Sequence, residues 1–509
     1  MEKQMGLTKV IVIGAGIAGA LSADALSKKG FDVVLLEAAE SILPESCTSQ
    51  NQVCWLHTGI HFSKDHETAK KMVENTVAFK RHLPHHIFST SDESNRGRAF
   101  IFEGTIEEEA LKATAAAVNQ RYKELVKKDP NNEVLLPSSE DLIKLYTVEE
   151  YKIKYGENNH VLLEQDNKKH QKPVAYVMES YEPKVDMNLL KEWLEDEFKQ
   201  SKNIKVFSNS KVRDVEKIEG KFKGYRVTTE DGNTYESDIV VNACWTNSEN
   251  IFKNLGVEVV PQIPDNEKTI VRIKFSIEVI LPDCLLKQNS FIMAYGAYCS
   301  FTNLGNGKAR IIYEPVNDWS RPLTENSADV VDAAFGHQTL ETESGRNLAN
   351  QILAGACQFC PELEGAEITA LHRGEVIHEV KTDEKFSILK STAHDSRLQT
   401  GCERVHGKSG AIPGLIKNQA RKMTYAYKNA SEVVEICEDF EIQKQMHDAS
   451  QIYKTPLTTF GSSNRSETEK KVPVKAPVFE LIRFFDGFNV QEFNVQEEAA
   501  SSASTDLRK

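Results

Sequence analysis

The chain has no run of apolar residues approaching the length needed to cross a bilayer, so no transmembrane segment is expected. Its first residues, MEKQMGLTK, lack the apolar core of a secretory signal, and a cytoplasmic location is the expectation. Positive charge is not in excess either: 62 Lys and Arg stand against 75 Asp and Glu, a net charge of −13. Phosphate backbones favour basic surfaces, so no nucleic-acid partner is expected. The nine cysteines are odd in number and follow no framework spacing, which fits free thiols in a reducing compartment. Cys357 and Cys360 form a single C-x-x-C without a second pair, a better match to helix-end thiols than to zinc. What remains, 40% apolar and 27% charged over 509 residues, is an ordinary globular composition, too long for one small core.

The informative stretch is Val10 to Glu37, VIVIGAGIAGALSADALSKKGFDVVLLE. Val10 to Ile13 reads as a buried parallel strand. Gly14, Gly16 and Gly19 follow in the spacing G-x-G-x-x-G, and Ala15 to Lys29 carries a helical pattern that Gly30 stops. Phe31 to Leu36 is a second strand with Glu37 at its carboxyl end. Gly14 permits the turn, Gly16 lets a pyrophosphate approach the backbone, and Gly19 lets the helix lie close on the sheet. The helix start around Ala15, Ile17 and Ala18 offers free N–H groups to phosphates. Glu37 is placed to accept hydrogen bonds from an adenosine ribose. A dinucleotide-binding unit is therefore expected; the motif alone does not separate NAD from FAD.

After Glu37 a loop rich in Ser, Thr, Asn and Gln ends in His57-Thr58-Gly59-Ile60-His61. An NAD domain would normally pass straight to its next strand–helix unit. Ser49, Asn51, His57 and Gly59 match a polar loop followed by an H-x-G turn. On these residues the chain resembles the D-amino-acid oxidase/glycerol-3-phosphate dehydrogenase superfamily of FAD enzymes, the 2-hydroxyglutarate dehydrogenase branch most nearly. The likeness runs discontinuously over about Lys9 to Glu438. It implies an α/β fold with a Rossmann-like FAD-binding domain (residues 9–98, 182–250 and 365–440) and an interleaved α+β substrate domain with an antiparallel sheet (99–181 and 251–364). Residues 449–509, in which FNVQE occurs twice in tandem, read as a low-complexity, disordered C-terminal tail.

The resemblance implies FAD as the cofactor, a small-molecule substrate and an unknown electron acceptor. Val212, beyond the strand Ile204 to Phe207, is the candidate for a backbone contact to adenine. The strand Ser237 to Ala243 resembles a family segment that continues into a glycine. Here it continues Cys244-Trp245, so residues are missing or one of these two fills a glycine place. His372-Arg373-Gly374-Glu375 resembles a loop returning to the flavin. Gly407, Lys408, Gly410 and Gly414 resemble a strand-to-helix turn at its pyrimidine edge, with a helix Asn418 to Glu438 behind it.

Enzymes of this kind take a hydride from a C–H bond beside an amine or hydroxyl to flavin N5, while the protein holds the substrate's anion and removes a proton. His57 or His61 is the candidate acid/base, since imidazole titrates near working pH. Arg373 is the candidate carboxylate anchor, with Arg404 and Lys408 behind it; a structural ion pair is the plain alternative for each arginine. His57, Cys47 or Cys54 would be the attachment point if the flavin were covalent. A metal reading of H-x-x-x-H is poor, because Gly59 interrupts the supposed turn and no third ligand is evident. Three readings stand: an FAD-dependent dehydrogenase or oxidase of a small amino or 2-hydroxy acid, a glycerol-3-phosphate dehydrogenase-like enzyme, or a flavin-binding interaction protein without turnover.

Overall fold

Four apolar residues in a row are stable in a strand only if both faces are covered. In the computed structural model Val10, Ile11 and Val12 are at most 1% exposed, each contributing about 2 kcal/mol of burial. The structure describes residues 7–89, 95–136, 141–156, 159–164, 172–220, 222–255, 257, 267–294, 299–317, 319–324, 327–381, 401–407 and 410–454. Strand Lys9–Ile13 leads to helix Ile17–Lys28, and Gly30 at φ +92° turns the chain into strand Asp32–Leu36. Both strands are parallel neighbours, and Ile239–Asn242 and Ile204–Phe207 extend the pairing in parallel on either side. An antiparallel hairpin, Cys402–Gly407 and Gly410–Asn418, completes a six-stranded sheet. Helix Met187–Gln200, capped by Asp186, and the long helix Ala426–Lys454 belong to the same layer system.

The second sheet has nine strands and is mostly antiparallel. Its longest pairing, Glu267–Ile280 with Glu367–Lys381, lies toward one edge. Strand Arg96–Phe102 joins it in parallel to Ser290–Ala294 and antiparallel to Val174–Tyr181. Helices His66–His82 and Glu108–Lys128 cover one face, where Ala69, Met72, Val73, Leu111 and Val118 share one core with Ile101 and Ile292. Both sheets fall within one unit, Met1–Ser450; of the second unit, Gln451–Lys509, only the end of the last helix is described. Among the described residues no helix is long and apolar enough to cross a membrane.

Three expectations need correction. The segment His372–Glu375 is not a loop but the middle of strand Glu367–Lys381, because Glu267–Ile280 supplies it with a backbone partner throughout. It therefore lies in the nine-stranded sheet and not, as the expected segment 365–440 implies, with the six-stranded sheet of the glycine turn. The glycines Gly407 and Gly410 do not form a strand-to-helix turn: they pair with each other at the tip of a β-hairpin. The strand runs on to Asn418, and the helix starts only at Ala426. Lys408 and the tail from 455 onward lie outside the described residues.

Candidate active site

The polar loop after Glu37 folds back along the segment that precedes helix Met187–Gln200. Leu56 N–H donates to Pro183 O at 2.8 Å and Val185 N–H to Cys54 O at 3.0 Å. This short ladder brings Glu182 beside His57, 125 positions away in sequence. His57 is then clamped by its own backbone: its N–H donates to Thr424 Oγ1 at 3.0 Å and its carbonyl accepts from Thr76 Oγ1 at 2.6 Å. The ring centroid of His61 lies 4.1 Å from that of His57, and Trp55 packs edge-on against His61 at 5.0 Å.

One cavity of about 530 Å³ runs from the glycine turn to this histidine pair. Gly14, Gly16, Ile17, Ala18, Glu37, Ser49 and Val212 line it toward one end of the chain of contacts, and His57, His61 and Arg373 also line it. Ala15 is present through its backbone, donating N–H to Glu37 Oε2 at 2.6 Å; Glu37 Oε1 also accepts from Ala39 N–H at 2.9 Å. Gly19 lies behind the turn, where a Cβ would sit 1.8 Å from Gly14 O. At Gly16 a Cβ would meet only Ser49 Oγ, at 3.9 Å, so the space over its backbone opens into the cavity. Ser49 Oγ accepts from Ile17 N–H at 3.3 Å. Asn51 is turned away: its amide donates to Glu45 O and Cys47 O and braces the loop, while its neighbour Gln52 lines the cavity.

Trp245 settles the irregularity after Ala243. It adopts φ +52°, the left-handed region in which a glycine would be unstrained. Its indole N–H donates to Glu375 O at 3.0 Å and its carbonyl accepts from Gln419 Nε2 at 3.0 Å. Its neighbour Thr246 donates its hydroxyl to the Glu375 carboxylate. Such over-determination is what a strained residue needs to persist.

Several groups in this cavity carry no local sequence signal. Arg272 and Lys274 come from strand Glu267–Ile280, and both pair with the buried Glu314, at 2.5 and 2.8 Å. Arg421 and Lys422 follow strand Gly410–Asn418, in the turn that leads to the last helix. Burial lowers the Arg421 guanidinium to about 10. Burial also holds both histidines well below the usual imidazole range, helped at each by the positive charges of Lys422 and Lys274. The pair is therefore neutral at physiological pH. Arg373 is ion-paired with Asp332 at 2.6 Å, its side chain 29% exposed. Arg404 pairs with Asp439 and takes no part in the cavity lining. Cys47, Cys54 and Cys244 are free thiols, and burial raises each of them.

The donor set suits FAD at both ends. An open glycine backbone at a helix start, with a carboxylate across from it, suits the diphosphate and ribose. The buried Nε2 of His61, which has no partner among the described residues, marks a polar need at the other end. The comparisons agree with this. Residues 9–374 match the family model described as FAD-dependent oxidoreductase, DAO. No curated sequence matches the chain. Among solved structures, L-proline dehydrogenase from P. horikoshii superposes with a TM-score of 0.57 at 14% identity, covering 85% of this chain and 93% of that one. Glycine oxidase from Geobacillus kaustophilus gives 0.52 at 14%, covering 84% and 95%. L-alpha-glycerophosphate oxidase from Mycoplasma pneumoniae, with FAD bound, gives 0.53 at 14%, covering 85% and 95%. At these identities the structures establish the shared fold, and the family match over most of the chain establishes the kind of enzyme: the protein belongs to the DAO family of FAD-dependent oxidoreductases.

Proposed function

We propose that the enzyme oxidises a C–H bond next to a hydroxyl or amine in a small anionic acid. The observation that carries this is the meeting, in one cavity, of two neutral imidazoles with the cationic side chains of Arg272, Lys274 and Lys422. Bound FAD supplies the hydride acceptor. The residues do the rest. Lys422, whose charge reaches both histidines, holds the substrate's anionic group and fixes its orientation, while Lys274, paired with Glu314, adds to the positive field there. A neutral imidazole of His57 takes the proton from the substrate's O–H or N–H. Arg373, at the cavity wall with Asp332 as its present partner, guides the acid rather than anchoring it.

A second reading rests on the same cations. A cluster of lysine and arginine suits a phosphate as well as a carboxylate, which keeps glycerol 3-phosphate among the substrates to try. The test is anaerobic titration of the yellow holoenzyme with 2-hydroxy acids, amino acids and glycerol 3-phosphate, following loss of flavin absorbance. Bleaching by a hydroxy or amino acid is expected. Bleaching by glycerol 3-phosphate alone would move the assignment to the second reading. FAD-loaded protein that none of them bleaches would overturn both.

A further inference from the structure

We infer that Glu182 is the positioning residue of this active site, fixing the tautomer of His57 so that Nε2 is its proton-accepting nitrogen. This rests on the proposal that His57 is the base. Glu182 is wholly buried. Its Oε1 accepts from the Thr58 N–H at 2.9 Å and from the Thr58 hydroxyl at 2.7 Å. The Thr58 hydroxyl, having donated, accepts in turn from Ser180 Oγ at 2.5 Å. That chain leaves Oε2 directed at His57 Nδ1, 3.2 Å away. A carboxylate with two donors already on one oxygen is held as an acceptor, so the proton on this contact belongs to His57 Nδ1. Nε2 is then the lone-pair nitrogen.

The proton transfer is balanced within the chain. The substrate's O–H or N–H bond breaks and the electron pair stays on that oxygen or nitrogen. A new N–H bond forms at His57 Nε2, and the imidazolium is stabilised by the Glu182 carboxylate on its far side. The cationic surroundings give this arrangement a purpose. Lys422 and Lys274 oppose a second positive charge on His57. A fixed buried anion on its other edge is the counterweight. Burial raises the Glu182 carboxyl, opposed by the Thr58 hydrogen bonds and by Lys184, which lies 4.9 Å over Trp55 and is itself held by burial well below the usual ammonium range.

The same three groups invite another interpretation. The nearest ligand atoms of His57, His61 and Glu182 lie within 4.8 Å of one another, and two imidazoles with a carboxylate are a familiar set for a divalent metal. Glu182 is thus the third group that the sequence does not reveal. Two features favour the proton over the metal: Glu182 Oε1 is committed to Thr58, and Lys274 and Lys422 place positive charge beside His57.

The test uses ¹⁵N-histidine-labelled holoenzyme, with His57 assigned by its loss in His57→Gln. At pH 7.5 the wild-type ring is expected to show a protonated Nδ1 and an unprotonated Nε2. Glu182→Gln, which can offer its amide N–H to Nδ1, is expected to reverse the tautomer. It should retain FAD yet slow flavin reduction by ~10²- to 10⁴-fold. A wild-type ring protonated on Nε2 would overturn the inference, and this readout does not depend on Glu182→Gln folding. So would Glu182→Gln reducing its flavin at the wild-type rate while His57→Gln does not. Wild-type reduction in His57→Gln would instead remove the base assignment itself. One equivalent of divalent metal in the holoenzyme, lost in Glu182→Gln, would replace the relay by a metal site.

Discussion

At one end of the cavity nearly every polar group comes from a single run of chain. Gly14, Gly16, Ile17 and Glu37 are set by one strand, one helix start and the end of the next strand, and Ala15 N–H closes the unit onto Glu37 at 2.6 Å. At the other end the groups come from segments far apart: His57 and His61 from the loop, Glu182 from the chain before a helix, Arg272 and Lys274 from a strand of the second sheet, Lys422 from the last turn. The first end depends on backbone geometry and tolerates few side chains. The second depends on side-chain charge in a buried place, where each group shifts the others. Damage at the first end should abolish the holoenzyme; damage at the second should leave a yellow, slow enzyme.

The largest effect is expected at the backbone end. Gly19→Val would put a Cβ 1.8 Å from Gly14 O, in contact with backbone that cannot move aside. The helix must lift off the sheet, and FAD retention after gel filtration should fall to nothing, with a stability loss of several kcal/mol. A yellow Gly19→Val protein would break the contrast outright. Next comes His57→Gln, expected to keep FAD while slowing anaerobic flavin reduction by ~10²- to 10⁴-fold; equal loss of FAD would make His57 part of the binding frame instead.

Acid should find the second end first. The folded forms of His57 and His61 have their proton affinity lowered by burial, so below about pH 6.5 the unfolded chain binds protons that the folded chain refuses. Stability therefore holds above that pH and falls as pH decreases through it, by up to ~1.4 kcal/mol per pH unit for each histidine. Glu182, raised by burial, titrates in the opposite sense and softens the slope. Urea midpoints at pH 7.5 and 5.5 for wild type and His61→Gln measure this. The variant should lose less on acidification; an identical loss would show that His61 does not sense the change.

How much of this was legible follows the same division. Strand, glycine turn, helix and terminal acid lie within one continuous segment, so local propensity and periodicity were enough to place Gly14 to Glu37. His57 was legible because it follows a polar loop of distinctive composition. Glu182, Arg272 and Lys422 were not, since no periodicity says which buried charge will face a histidine more than a hundred positions away. The misplaced turn at Gly407 to Gly414 shows the limit of glycine as a signal. Gly410 and Gly414 do have positive φ, +108° and +79°, but they serve a hairpin and a close approach to Asp238 O, not a helix start. Trp245 is the converse case, a left-handed position filled by a side chain that three-dimensional contacts hold in place.

The smallest effect is expected where the sequence pointed most directly. Arg373 stands in the cavity wall but already spends its guanidinium on Asp332 at 2.6 Å, and its side chain is 29% exposed. A pair of that kind, screened by water, contributes little on either side of the equilibrium. Lys422 lies among buried groups, 5.5 Å above the ring of Phe62, and its charge reaches both histidines. A charge-assisted contact from there to a substrate anion is worth ~1.5–3 kcal/mol. Lys422→Ala should therefore raise KM by roughly 10- to 100-fold, and Arg373→Ala by less than about fivefold, within the range of an exposed pair. If the order is reversed, the substrate's anionic group sits at the wall beside Arg373, Asp332 gives way on binding, and the reacting carbon reaches His57 from that side rather than from beneath Lys422.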